Sequence, residues 1–184
     1  EVPSNCIHDG FFFFCDYCKD VLLWQDNQAF CRSWSVCEKQ GHYTLHHRIK
    51  ASPDIRRVKR GIMAYVVVPG LPELELLASI HEIGIQATLW PGIDLYDLLV
   101  ILPDQTKWGI DVKATRSARA LGEREAEKGF IPNRELSDVK WDRAFYVIPD
   151  IYYDQTFFDQ FCRGAKIKPR ELAKRRIELV SMKM

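Results

Sequence analysis

Three charged side chains have the types and spacing for phosphoryl chemistry: Asp97, Asp111 and Lys113, all within residues 90–113 (WPGIDLYDLLVILPDQTKWGIDVK). Two carboxylates held close repel each other, and one takes up a proton unless a cation lies between them. A hard divalent ion, Mg²⁺ or Mn²⁺, suits carboxylate and water oxygens and bridges to phosphate. Such an ion acidifies a bound water and neutralises charge on the phosphate. A lysine at the edge of the site orients that water or stabilises the developing oxyanion. A second set of reactive residues is Cys15, Cys18, Cys31 and Cys37, a C-x2-C pair followed by a C-x5-C pair. Four thiolates from two loops suit a tetrahedral structural Zn²⁺, and four closed ligands leave no open position for catalysis. Cys6, His8 and His42 are spare candidates that could replace one ligand. His46 and His47 are assigned no role.

The carboxylates must be positioned by strands. Residues 98–102 (LLVIL) form a short apolar run, Pro103-Asp104-Gln105-Thr106 has turn chemistry, and residues 107–113 read as the return strand. Side chains alternate along a strand, so Asp111 and Lys113 share one face while Ile110 and Val112 point into the core. If Leu102 faces Lys107 across the turn, position 97 lies opposite 111–113, within about one residue of register. Asp94 lies further along, so Asp97 is preferred on spacing. Two carboxylates and an ammonium then converge on one sheet face. Asp-x-Lys alone is common, and the plain alternative is an ordinary hairpin with a surface ion pair.

With Pro91, Gly92 and Asp94 or Asp97 as a first half and Asp111-Val112-Lys113 as a second, the segment resembles the PD-(D/E)xK, or restriction-endonuclease-like, nuclease superfamily. The resemblance covers about residues 60–165 and departs from the pattern in that no Pro immediately precedes the Asp. It implies metal binding by Asp97 and Asp111, helped by the carbonyl of Val112, with Lys113 catalytic. It also implies an acidic residue carried by a helix that reaches the metal site and assists catalysis directly or through water, a position that Glu73 matches. The N-terminal Cys cluster, LWPGIDLYDLLV and GIDVK together look like the restriction-endonuclease-like proteins found beside prokaryotic PIWI genes in defence loci. That narrower resemblance implies a bacterial defence role and partner proteins.

The remaining pattern supplies a scaffold. Residues 62–68 (IMAYVVV) read as a buried strand closed by Pro69-Gly70. A helix is expected over 71–83, with Glu73 on the same stripe as Leu76, Leu77, Ile80 and Ile83. Residues 85–90 read as a strand and 114–130 as at least partly helical, with Glu123, Glu125 and Glu127 as solvated charges. Residues 144–148 read as a core strand. Asp154 caps a helix carrying Phe157, Phe158, Phe161 and Cys162 and stopped by Gly164. Pro169 begins a last helix running to Val180. The expected fold is α/β: a restriction-endonuclease-like core, a central mixed sheet flanked by helices, preceded by a small zinc-binding module. The expected division is 1–47 for the Cys-rich module and 48–184 for the nuclease-like domain.

The chain of 184 residues has a net charge of +1 that hides an asymmetry. Residues 48–60 carry six basic side chains and one acid, and residues 163–176 carry seven and one. Basic patches against an acidic remainder suit a polyanion. Arg56, Arg57, Lys59, Arg60 and Arg116 are the expected phosphate contacts. No uninterrupted apolar run approaches the length of a membrane span and no signal peptide is recognisable, so a cytoplasmic protein with no membrane partner is expected. Four of six cysteines clustered in one short segment of a cytoplasmic chain favour metal over disulfides. The chain begins at Glu1 rather than Met, so it reads as a processed form or a piece of a longer protein. The expected function is a metal-dependent DNA endonuclease, with RNA or a junction as the other substrates and a homodimer as one assembly. The alternative is a catalytically inactive zinc-containing nucleic-acid-binding or assembly subunit.

Overall fold

The structure, a computed structural model, describes residues 2–32, 37, 45, 47–131, 140–154 and 156–182. Its contacts divide into two compact units, Glu1–Leu71 and Pro72–Met184.

The first unit is built from tight hairpins. β1 (Ile7–His8) pairs antiparallel with β2 (Phe11–Phe13), and β3 (Leu23–Gln25) with β4 (Gln28–Phe30). The connecting residues Asp9-Gly10 and Asp26-Asn27 all have positive φ, the conformation that a two-residue hairpin turn needs. β5 (Arg48–Lys50) adds to the free edge of β2, so part of the basic segment 48–60 belongs to this unit's sheet.

Residues 62–68 do not form a strand. They belong to a helix, α1 (Arg60–Glu82), whose Met63–Val67 segment is a π turn. A continuous apolar run does not reveal its period, and the three valines favoured a strand reading. The burial settles it: Met63, Val67, Val68 and Leu71 recur at helical spacing and pack on Phe13, Leu22 and the cysteines, while Tyr65 is 84% exposed. Pro69-Gly70 does not end the segment, and Pro72 also sits inside the helix. The widened turn directly precedes Pro69, whose ring would clash with the carbonyl four residues back in a regular α turn. By length and composition alone this helix is apolar enough to cross a membrane, with a mean hydropathy of 1.4. An uninterrupted-run criterion does not detect it, because Pro, Gly and Glu interrupt the run.

The second unit is a five-stranded mixed sheet in the order β10-β9-β8-β7-β6. β6 (Gln86–Leu89), β7 (Leu98–Ile101) and β8 (Lys107–Val112) are antiparallel neighbours. β9 (Arg143–Ile148) and β10 (Ile177–Ser181) run parallel to β8. A one-turn helix, α2 (Pro91–Asp94), lies between β6 and β7. On one face Leu98, Val100, Ile110, Val112, Phe145 and Val147 pack on Leu76, Leu77 and Ile80 of α1. The other face, with Ala144, Tyr146, Ile148, Ile177 and Leu179, is covered by α3 (Ala118–Glu127), α4 (Phe157–Ala165) and α5 (Pro169–Lys174). This is a central mixed sheet flanked by helices.

Two C-terminal expectations are corrected. The last helix stops at Lys174, Arg176 turns left-handed at φ 61°, and the chain enters β10. Ile177 and Leu179 are buried in alternation, the period of a strand. Gly164 does not stop its helix, which ends at Ala165 with Lys166 at φ 53°. It serves packing instead: a Cβ on Gly164 would lie 2.0 Å from the Arg119 carbonyl oxygen, and one on Gly122 would lie 2.1 Å from that of Phe161. The two glycines therefore let α3 and α4 cross in backbone contact. Gly164→Ala is expected to force the helices apart and cost about 3 kcal/mol, the upper end for overpacking a rigid contact. Urea unfolding against wild type measures the loss.

Candidate active site

The register places Asp97 and Asp111 together. Leu98 pairs with Ile110, so continuing the ladder sets position 97 against 111, within the range expected from the sequence. Asp97 lies just outside β7 and is fixed by two backbone groups. Its carbonyl accepts from the Trp90 N–H at 2.8 Å, and its Oδ2 accepts from the Val112 N–H at 2.6 Å. Asp111 is 8% exposed. It pairs in parallel register with Tyr146 of β9. Lys113 follows β8, its N–H donating to the Val147 carbonyl at 2.9 Å. Its Nζ donates to Asp111 Oδ1 at 2.6 Å. The side chain of Asp94 lies outside the described residues.

The two carboxyl groups cannot both be ionised at low cost. Burial, the Asp111 charge and a hydrogen bond between the two groups push the Asp97 carboxyl up to about 8, with a further push from the Glu73 charge. The Val112 N–H acts the other way. At neutral pH Asp97 therefore holds a proton that a cation could replace. The chemistry of this donor pair suits one hard divalent ion.

Glu73 stands next to this pair without joining it. Its Oε2 accepts from the Trp90 indole N–H at 2.9 Å. Among the described residues, the group of three or more metal-type ligands that closes within 4.8 Å is the cysteine set, not the carboxylates. Glu73 therefore acts on Asp97 through its charge and through Trp90, which bridges the two.

One buried acid escapes a sequence reading. Glu125 is 3% exposed and not solvated as expected. Its Oε2 accepts from the Tyr146 hydroxyl at 3.0 Å. Its Oε1 has no hydrogen bond, and Arg124 Nε is 3.5 Å away, long for one. Burial and the charges of Glu125 and Asp111 push the Tyr146 hydroxyl well up, so it stays a proton donor. The helical spacing Ala118, Leu121, Gly122, Glu125 on the buried face of α3 is the signal that could have found it.

The cysteines form the second centre. Cys15, Cys18, Cys31 and Cys37 are buried, their sulfurs lie within 4.8 Å of one another, and none is in a disulfide. Hydrogen bonds from the other three thiols pull Cys15 down, while the same network pushes Cys37 up. Four crowded sulfurs cannot all be thiolates without a cation, and this donor set fits zinc. Of the spare candidates, Cys6 and His8 stay outside it. Cys6 packs with Phe12 and Val21, and His8 stacks on Trp24 at 3.8 Å. His42 and His46 lie outside the described residues.

The basic candidates separate by exposure. Arg57 is spent inside the first unit: its Nε and a terminal nitrogen grip Asp20 at 2.8 and 2.5 Å, with both side chains buried. It is a structural residue, not a surface phosphate contact. Arg56 is exposed and folds back on the Pro53 carbonyl. Lys59, Arg60 and Arg116 are exposed.

A model of the family described as "REase associating with pPIWI_RE" matches residues 70–182. The chain belongs to that family. The match spans the mixed sheet, its helices, Glu73, Asp97, Asp111 and Lys113, and it begins after the cysteine centre. No curated protein and no solved structure matches the chain. In this REase-family chain the Asp97 shift has a measurable sign. A carboxyl whose folded pKa exceeds its unfolded value stabilises the protein at low pH, and that contribution is lost as pH rises through the folded value. The metal-free protein is therefore expected to lose thermal stability from about pH 4 towards pH 8, and Asp97→Asn to flatten this decline. Thermal unfolding across that range checks it.

Proposed function

We propose that this chain is a metal-dependent nuclease of the PD-(D/E)xK type, hydrolysing DNA phosphodiester bonds in a prokaryotic defence system. The observation that carries the reading is the Asp97–Asp111 pair with Lys113 Nζ 2.6 Å from Asp111, in a chain of a restriction-endonuclease-type family. The strand order around it supports a restriction-endonuclease-like core.

Asp97 and Asp111, with the Val112 carbonyl, would hold Mg²⁺ or Mn²⁺, which supplies charge neutralisation at the phosphate and acidity to a bound water. Lys113 orients the attacking water and stabilises charge developing on the phosphate oxygens. The water oxygen forms the new bond to phosphorus, the bond to the 3′ oxygen breaks, and a 5′-phosphate and a 3′-hydroxyl result. The attacking water gives up a proton to solvent, and the departing 3′ oxygen takes one from solvent to become the hydroxyl. Glu73 assists from behind Trp90 by adding negative charge to the cation site. Arg116, three residues past Lys113 and exposed, contacts a flanking phosphate, and Arg56, Lys59 and Arg60 are polyanion contacts of the first unit. The cysteine centre holds structural zinc. The family description names association with pPIWI_RE, so the working partner is a protein of that kind, in the cytoplasm.

Nicking of supercoiled plasmid with Mn²⁺ tests this. Lys113→Ala and Asp111→Ala, at wild-type zinc content, are expected to lose about a hundredfold or more in rate. Cleavage retained by Lys113→Ala would sink the assigned site.

A further inference from the structure

Trp90 is held at the carboxylate site in a way that its structural duties do not explain. It is a non-glycine residue in the left-handed region, φ 47° and ψ 53°, which costs an L-residue about 1–2 kcal/mol. A glycine or asparagine would make the same turn more cheaply. The indole edge is fixed, its Nε1–H donating to Glu73 Oε2 at 2.9 Å. The backbone is fixed as well, its N–H donating to the Asp97 carbonyl at 2.8 Å. Yet the residue stays 51% exposed. A large aromatic kept in strain, anchored by its polar edge and left half in solvent is not serving a core. Strain of this kind collects at ligand-binding positions.

Resting on the nuclease reading above, we propose that Trp90 is a stacking platform for the nucleobase attached to the scissile phosphate. Its main-chain N–H meets the Asp97 main-chain carbonyl and its indole meets Glu73, so a base lying on the indole is held next to the segment that carries Asp97. Aromatic stacking accepts any base but requires that base to be free of its neighbours. The substrate class is therefore single-stranded or locally unpaired nucleic acid rather than intact duplex.

The test is binding of a fluorescein-labelled 20-nucleotide single strand and of the matching duplex, read by anisotropy. Ca²⁺ replaces Mg²⁺ so that no strand is cut. Trp90→Leu and Trp90→Gly are expected to weaken single-strand binding about tenfold or more, with duplex binding changed less than about twofold. Trp90→Phe keeps a stacking ring but loses the N–H, and is expected to stay within about threefold of wild type. Trp90→Gly relieves the left-handed strain, so its thermal midpoint should not fall, which separates lost binding from lost folding. If Trp90→Phe is as weak as Trp90→Leu, the bridge to Glu73 is the residue's whole purpose and the platform is overturned. Unchanged binding in all three variants overturns it equally. A wild-type protein that binds neither strand nor duplex overturns the nucleic-acid reading itself, and the platform with it.

Discussion

The repulsion between Asp97 and Asp111 is the constraint on which the rest of the second unit depends. Two unit charges about 4 Å apart repel by about 4 kcal/mol at an effective dielectric of 20. A fold tolerates that only if something fixes both groups and something else neutralises them. The fixing is done by backbone: the β7–β8 register, the Val112 N–H on Asp97 and the Trp90 N–H on the Asp97 carbonyl. The neutralising is partial. Lys113 takes one oxygen of Asp111, and Asp97 keeps a proton up to about pH 8. The sheet therefore presents a carboxyl pair that holds a proton, the kind of donor pair that the proposed divalent cation would satisfy.

The first unit solves the same problem with sulfur. Four buried thiols crowd one point, and the surrounding core of Phe13, Leu22 and Met63 is small. A core of that size is marginal alone, and a structural metal commonly supplies what such small modules lack. The buried Asp20–Arg57 pair adds a second polar clamp. Both arrangements are costly to break from one side, because the remaining partner would be left buried and unpaired.

The hairpin was more legible than the scaffold around it. It could be read because a turn fixes register and a strand's period of two fixes faces, so the meeting of Asp97, Asp111 and Lys113 on one sheet face followed from spacing, while their roles came from the family resemblance. The cysteine set was legible because thiol spacing is a local signal. The segment Met63–Val67 was not, since an unbroken apolar run carries no period and its burial pattern emerges only against the cysteine core. β10 was hidden because Ile177, Leu179 and Val180 fit either period, and the left-handed Arg176 that separates helix from strand has no sequence mark. Glu125 and Arg57 were misread for one reason: a charge looks solvated until its partner, Tyr146 or Asp20, arrives from a distant part of the chain.

The central claim is that the Asp97–Asp111 pair is a divalent-cation site in which the cation displaces a shared proton. Isothermal titration of Mn²⁺ into the zinc-loaded protein, in two buffers of different ionisation enthalpy, measures both the ion and the proton. The account predicts one Mn²⁺ bound per chain, release of a large fraction of a proton at pH 7, and loss of both in Asp97→Asn. Binding of no ion, or binding that survives Asp97→Asn unchanged, would contradict it.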